Sequence, residues 1–209
     1  QSRDVAGNTS SFVTSQGFNT GSWSVYAGTK DRGDGGTGRG AALSGEGFTS
    51  LFAINPINGD IYASDNQKGI RKLDAKTGLV STVITGTTSN LPANGALPAN
   101  PALPAGNFNN LVFDSKGRLY VGVVQSGGLA VIIYQIDFTN SWVRQYAGGG
   151  LGDDGGTAAT SLQISPGGSF DEQDSLYTWT YCGGVAVTST TGQTVGKRII
   201  KIAQNSDGS

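Results

Sequence analysis

The chain has 209 residues, 14% of them charged and 36% hydrophobic, with a formal net charge of −1 and a pI near 5.3, so no surface that attracts nucleic acid or anionic lipid is expected. It contains no His and no Met, which excludes Ser-His-Asp and Cys-His nucleophile pairs, His-ligated zinc and an imidazole general base. Glycine contributes 34 residues, roughly twice its usual share of about 7%, and this scattered excess favours short strands and tight turns over helices.

Residues 1–21 are rich in Ser, Thr, Asn and Gly, with one apolar spot at Phe12-Val13. They read as an N-terminal arm, flexible or ordered by a neighbour. Within it, Asn8-Thr9-Ser10 is a sequon, making Asn8 a candidate glycosylation site. The chain opens at Gln1 without a basic-plus-apolar leader, as expected of a processed secreted protein or of a fragment. Few lysines and abundant Ser, Thr, Gly and Asn favour an extracellular or cell-surface setting. No apolar run approaches the roughly 18 residues of a membrane helix, so no membrane insertion is expected. Cys182 is the only cysteine; it permits no internal disulfide and reads as a small buried hydrophobe.

Residues 22–86 begin with the strand Trp23-Ser24-Val25-Tyr26-Ala27-Gly28 and pass through an acidic, Gly-rich loop. The apolar strand Leu51-Phe52-Ala53-Ile54 then turns at Asn58-Gly59-Asp60 into Ile61-Tyr62-Ala63. Ile70-Arg71-Lys72-Leu73-Asp74 follows, and the unit closes on Ser81-Thr82-Val83-Ile84-Thr85-Gly86.

Residues 87–148 repeat this order with Leu111-Val112-Phe113-Asp114, a turn at Gly117, Leu119-Tyr120-Val121, Ile133-Tyr134-Gln135-Ile136-Asp137 and Val143-Arg144-Gln145-Tyr146-Ala147-Gly148. They also carry a Pro/Ala-rich loop, 88–107, with four of the six prolines. That loop is expected to be extended on the surface, as a rigid spacer or as a contact arm for an aromatic-lined groove. Residues 149–209 supply Ser169-Phe170, Ser175-Leu176-Tyr177-Thr178-Trp179 and Ile199-Ile200-Lys201-Ile202, without an outer strand of their own.

Gly28, Gly86 and Gly148 stand 58 and 62 residues apart, and Tyr62, Tyr120 and Tyr177 stand 58 and 57 apart. Each unit thus offers about four short alternating strands, which is how a propeller blade looks in sequence. The expected fold is all-β, with propeller-type blades of four antiparallel strands in three repeats. A lone blade cannot bury both faces, so stacked neighbours must stabilise one another.

Several motifs carry a resemblance. Gly33-Asp34-Gly35-Gly36 followed by Ala41-Ala42-Leu43, and Asp154-Gly155-Gly156-Thr157-Ala158-Ala159 followed by Leu162, are similar to the "GDGG…A…L" loop of NHL-type repeats. Gly59-Asp60-Ile61-Tyr62 and Gly117-Arg118-Leu119-Tyr120 are similar to that family's "GNLYIAD" strand, and Ile70-Arg71-Lys72-Leu73-Asp74 to its "RIRKVD" strand. The resemblance spans about residues 22 to 202 and implies a propeller in which the acidic loop fixes the connection between blades. The family includes a peptide-amidating lyase with zinc-binding histidines; with no His in this sequence, that chemistry is not carried over.

Three blades are fewer than the roughly four to eight that close a propeller. Val25, Tyr26 and Ala27 form an outer strand ahead of the first full unit, whereas the strand holding Ile200 and Ile202 has no outer partner in its own unit. Two arrangements are open. The missing blades belong to a longer chain, or copies of this chain join head to tail by strand exchange, as a ring or a filament.

Asp31, Asp34, Asp153 and Asp154 are the acidic loop residues. Turn capping is the favoured role, and Ca²⁺ is the one cofactor they admit, although neither loop has EF-hand spacing. Trp23 and Trp142 recur near equivalent positions and read as blade packing; Trp179 and Tyr181 depart from the repeat and are candidate ligand- or glycan-binding residues, with Asp153 and Asp154 beside them. The function expected is a non-enzymatic extracellular structural or interaction module, with a glycan- or ligand-binding propeller as the alternative.

Overall fold

The computed structural model describes residues 2–3, 9–10, 34–37, 51–65, 68–103, 108–124, 131–150, 164–181 and 197–203. Within them the chain is all-β, without a helix. Two short strands, β1 (Ser2–Arg3) and β2 (Thr9–Ser10), pair with each other. The first blade is an antiparallel meander of β3 (Phe52–Ile54), β4 (Ile61–Asp65), β5 (Gly69–Leu73) and β6 (Val80–Gly86). Two short strands follow, β7 (Asn94–Ala96) and β8 (Ala102–Leu103). The second blade is β9 (Phe108–Phe113), β10 (Leu119–Val124), β11 (Val131–Asp137) and β12 (Trp142–Gly148). The third is β13 (Ile164–Phe170), β14 (Leu176–Tyr181) and β15 (Lys197–Ile202). These sheets do not close on one another into a barrel.

Register sets equivalent positions in the three blades. Tyr62 lies opposite Lys72, Tyr120 opposite Gln135 and Tyr177 opposite Lys201. Ile54 faces Ile61, Phe113 faces Leu119 and Phe170 faces Leu176. The outer pairs correct the alignment expected from the glycines. Leu73 pairs with Val80 and Ile136 with Val143, so Gly86 matches Gly149 and Thr85 matches Gly148. Each outer pair carries an irregularity at the same place, after Ile70 in one and after Ile133 in the other. Such a bulge sharpens the local twist of the strand that contains it.

Two glycines are fixed by close approach. Gly69 has φ 103° and Gly148 φ 81°, and a Cβ on either would collide with a backbone carbonyl oxygen, that of Ile84 or of Val131. Both lie at the paired ends of adjacent strands, where a side chain has no room.

The Pro/Ala-rich loop, expected as a rigid spacer or a contact arm on the surface, pairs with the outer strands of the first two blades. β8 runs parallel to β6, and β7 pairs antiparallel with β12. Thr85 and Thr87 donate backbone N–H groups to the carbonyls of Pro101 and Leu103, and Gln145 donates to that of Ala93. Asn90 accepts from the Ala102 N–H at 2.8 Å and donates to the Asn100 carbonyl at 2.9 Å. Leu91 and Leu103 are buried in the core between the first two blades. The outer strands offer open backbone edges, and a proline-rich segment can satisfy them through its carbonyls although its prolines donate nothing.

Two cores lie between consecutive blades. The first joins Tyr62, Ile70 and Ile84 to Leu111, Phe113, Leu119 and Val121. The second joins Tyr120, Ile133 and Tyr146 to Ile164 and Leu176, with Phe170 packed against them.

Replacing Gly148 by Ala should cost about 3 kcal/mol, since a positive-φ conformation and a backbone collision add. Gly78→Ala, at φ 69° but with nothing within 4 Å of the added atom, should cost about 1 kcal/mol. Urea unfolding of the two variants measures this; equal losses would remove close approach as the cause.

Candidate functional site

Side chains that hold the blades in place start at the first turn of each blade. Asn55, Asp114 and Asp171 occupy one equivalent position directly after the first strand. A short Asx side chain there accepts N–H groups from the next residues and closes the turn. Asn55 Oδ1 accepts from Ile57 N at 2.9 Å. Asp114 Oδ1 accepts from Lys116 N and Arg118 N, and Asp171 Oδ1 from Gln173 N and Ser175 N. Near the end of each turn stands a positive-φ residue, Gly59, Gly117 or Asp174.

In the second and third blades that positive-φ position touches the preceding blade. Asp174 is buried and accepts two bonds from Ser115 of the second blade, from the backbone N and from Oγ, each at 2.7 Å. At the preceding junction Gly117 sits against Asn55 and Ile57, and a Cβ there would come within 2.9 Å of Ile57. Asp174 therefore occupies a left-handed conformation that disfavours a side chain, and its carboxylate is held across the blade junction by Ser115.

Asp114 also anchors a buried network. Its Oδ2 accepts from Arg118 Nε at 2.6 Å and from Tyr120 Oη at 3.1 Å, and Gln135 Nε2 donates to Tyr120 Oη. Burial, with the Asp114 charge second, raises the Tyr120 phenol far above its ordinary value, so Tyr120 stays a neutral donor. Its ring lies 5.0 Å from Tyr146 and 4.5 Å from Phe170. This buried cluster lies between two blades, with Gln135 Oε1 left without a hydrogen-bond donor.

Asp34 is the acidic-loop residue within the described structure. Its Oδ2 accepts from Thr82 N at 3.0 Å, and its Oδ1 from Thr82 Oγ1 at 3.0 Å and Arg71 Nη2 at 3.1 Å. Partial burial pushes its pKa up, but the Thr82 and Arg71 contacts prevail and it is lowered. Beside it, Gly35 N and Gly36 O bond to Val80. Residues 34–37 thus lie along the outer edge of β6, and a carboxylate already engaged by a guanidinium and two Thr donors acts there as a clasp. Asp31, Asp153 and Asp154 lie outside the described residues, as do Asn8, Val25, Tyr26, Ala27, Trp23 and Cys182. Among the described residues no group of three His, Cys, Asp or Glu side chains comes together, and no helix is long and apolar enough to cross a membrane.

The exposed chemistry lies at the two ends of the row of blades. Each blade has a trailing face, turned toward the blade that follows, and a leading face, turned toward the blade before it. On the trailing faces Ile70, Ile133 and Ile199 are equivalent, opposite Ser64, Gly122 and Trp179. Ile70 is 0% exposed and Ile133 1%, but Ile199 is 63% exposed. Tyr62 packs edge-on against Phe113, with ring centroids 4.9 Å apart, and Tyr120 packs on Phe170. Tyr177, at the same position in the third blade, is exposed, with the Lys201 ammonium 5.3 Å from its ring centroid. Trp179 is exposed beside it.

On the leading faces, Leu111 and Phe113 of the second blade are buried. Their counterparts in the first blade, Phe52 and Ile54, are 71% and 56% exposed. Ile57, in the following turn, is also exposed.

The sequence singled out Trp179, and the structure places it on β14, exposed and opposite Ile199. Tyr181 lies on the same strand, with its backbone opposite Lys197. Ile200 and Ile202 are partly buried and pack against the core shared with the second blade. β15 stands at the edge of its sheet, with β14 as its hydrogen-bonded neighbour among the described residues. Trp142, expected as core, is half-buried beneath the Arg144 guanidinium at 5.5 Å and matches Leu79 in the first blade. Phe52, Ile54, Tyr177 and Ile199 were not legible as surface residues, because their alternation is that of core strands. Comparison with protein-family models and with curated proteins gives no match for this chain.

Asp171 is held to a pKa of about 2, by the Ser175 N–H first, with burial opposing, then by Lys201 and the Gln173 N–H. Asp74 is held to about 2 by the Thr77 N–H and hydroxyl, with Lys76 N–H and Lys72 adding to them. Folded values below the ordinary 3.8 mean stability that is complete above about pH 4 and lost as pH falls through the folded value. Asp171→Asn, which places in the third blade the residue type the first blade uses at Asn55, should keep the turn and flatten that acid loss. Urea midpoints at pH 4 and pH 2 measure it, and an unchanged slope would remove Asp171 as a contributor.

Proposed function

We propose that this chain is a structural or interaction module built of propeller-type blades, which acts by binding through its exposed blade faces and not by catalysis. The observation that carries this reading is positional. Ile199 and Tyr177 are open to solvent although their equivalents, Ile70 and Ile133, and Tyr62 and Tyr120, are buried at the internal junctions; Phe52 and Ile54 are likewise exposed where Leu111 and Phe113 of the second blade are buried. Clustered exposed aliphatic and aromatic residues mark interaction surfaces. The absence of His from the sequence supports the non-enzymatic part, since the most common general base is not available. The low charge content and the Asn8 sequon fit an extracellular or cell-surface setting.

Sedimentation analysis of the chain tests the reading directly. Association above the 21.4 kDa monomer, strengthening with concentration and weakened by Ile199→Lys, is expected. A strictly monomeric species, indifferent to charge placed on either end face, would overturn it.

A second reading draws on the exposed pair Tyr177 and Trp179, two positions apart and so on one face of β14. Rings placed this way can stack on sugars, which makes glycan binding the alternative. Glycan-array binding that Trp179→Ala abolishes would favour it; no binding by the parent chain would dismiss it.

A further inference from the structure

We infer that Asn94 is a site of self-modification: when β7 leaves β12 its side-chain amide is lost to the Gly95 backbone nitrogen, and the isoaspartate so formed keeps the strap from pairing again.

The sequence holds two Asn-Gly pairs, Asn58-Gly59 and Asn94-Gly95. A glycine after Asn leaves the next backbone nitrogen unshielded, because no Cβ stands beside it. That nitrogen can attack the Asn Cγ. A C–N bond forms, the Cγ–Nδ2 bond breaks, and the displaced nitrogen departs as ammonia with the former backbone amide proton. The succinimide ring then takes up water. Opening at Cγ gives aspartate; opening at the backbone carbonyl gives isoaspartate, whose main chain runs through Cβ and Cγ.

Both asparagines are exposed, so access does not separate them. Their bonding does. The Asn58 amide is held at both atoms, with Nδ2 donating to Asp60 Oδ2 and Oδ1 accepting from Asp60 N, each at 3.0 Å. Gly59 N is committed to the Asn55 carbonyl at 2.9 Å. Asp60 is itself buried and accepts from Ala75 N at 2.9 Å. Reaction at Asn58 requires the whole turn to be dismantled.

The Asn94 side chain makes no hydrogen bond among the described residues. β7 is three residues long and stands at the edge of its sheet, beside β12. Gly95 lies opposite Val143, between the bonds from Gln145 N to Ala93 O and from Leu97 N to Ser141 O. In an antiparallel ladder that alternation makes Gly95 and Val143 a hydrogen-bonded pair. Gly95 N is therefore engaged while β7 is paired and released when it opens. Short, exposed edge segments open locally at small cost in free energy.

The two products differ in what they do to the strap. Aspartate would stand opposite Arg144, whose guanidinium lies over the rings of Trp142 and Tyr146 at 5.5 and 5.3 Å, and opposite charges across a strand pair favour pairing. Isoaspartate lengthens the main chain by one methylene and breaks the register of bonds and side chains on which so short a ladder depends.

Peptide mapping by mass spectrometry, on the chain held at neutral pH, follows conversion at both asparagines. In the folded chain Asn94 should convert at least about tenfold faster than Asn58, and in strong denaturant the two should convert at similar rates. Equal rates in the folded chain would overturn the assignment of the site. A preference for Asn94 that persists in denaturant would place the cause in the local sequence and overturn the part played by pairing.

Hydrogen exchange tests the consequence. The amides of Gln145 and Leu97, whose bonds flank Gly95, should lose protection in the isolated isoaspartate fraction and keep it in Asn94→Asp. The Gly59 amide should be protected equally in both, which establishes that the first blade remains folded. Retained protection at Gln145 and Leu97 in the isoaspartate fraction, or its loss in Asn94→Asp, would overturn the release of the strap by the altered linkage.

Discussion

A strand meander of this kind has two apolar faces and cannot stand by itself in water. The contact on which the rest depends is the step from a tyrosine on one blade to an aromatic ring on the next, Tyr62 on Phe113 and Tyr120 on Phe170. Covering a large apolar side chain fully contributes roughly 1.5–3 kcal/mol. Each step also brings the surrounding isoleucines, leucines and valines out of water. Because the same positions recur in each blade, burial is a relation between neighbours. An identical side chain is core in the middle of the row and surface at its end, as Ile133 and Ile199 demonstrate.

Acidic residues serve this architecture at its turns. Asp114 and Asp171 close the first turn of their blades, and Asp174 ties one blade to the next through Ser115. Asp34 clasps Arg71 and Thr82 from outside the sheet. In each case the carboxylate accepts from backbone N–H groups, and in several a cation or hydroxyl adds a further bond. These oxygens are engaged by donors of the protein itself at Asp34, Asp114, Asp171 and Asp174. Glycine is essential where another part of the backbone approaches closely. Gly69 and Gly148 are such places, since neighbouring carbonyls leave no space for a Cβ.

The proline-rich loop joins the two themes. Its backbone completes the outer edges of the first and second blades through β8 and β7, and Leu91 and Leu103 enter the core between them. A segment that looks like a spacer thus becomes a strap across two blades; of the large apolar side chains exposed among the described residues, all but Leu79 lie on the first blade's leading side or the third blade's trailing face. The module reading follows from that contrast between satisfied interior edges and unsatisfied end faces.

Much of this was legible beforehand, and the gaps have identifiable causes. The equal spacing of Tyr62, Tyr120 and Tyr177 and the alternation around them determined the all-β class, the strand order within each unit and the number of units, because side-chain period and turn chemistry are local properties. The glycine landmark slipped by one residue, because Gly148 is followed by Gly149 and only pairing of β12 with β11 decides which of them matches Gly86. β7 and β8, three and two residues long, carry too little alternation to be read at all; the open edges beside them fixed their pairing. Trp179 was visible as a departure from the repeat, but Phe52, Ile54, Tyr177 and Ile199 were not visible as surface. Their sequence context is that of buried strands, and what exposes them is their place at the ends of the row. The sequence by itself determined what a blade is, since that depends on neighbours along the chain. Only the tertiary structure decided which blade faces are open, since burial of a face depends on what stacks against it.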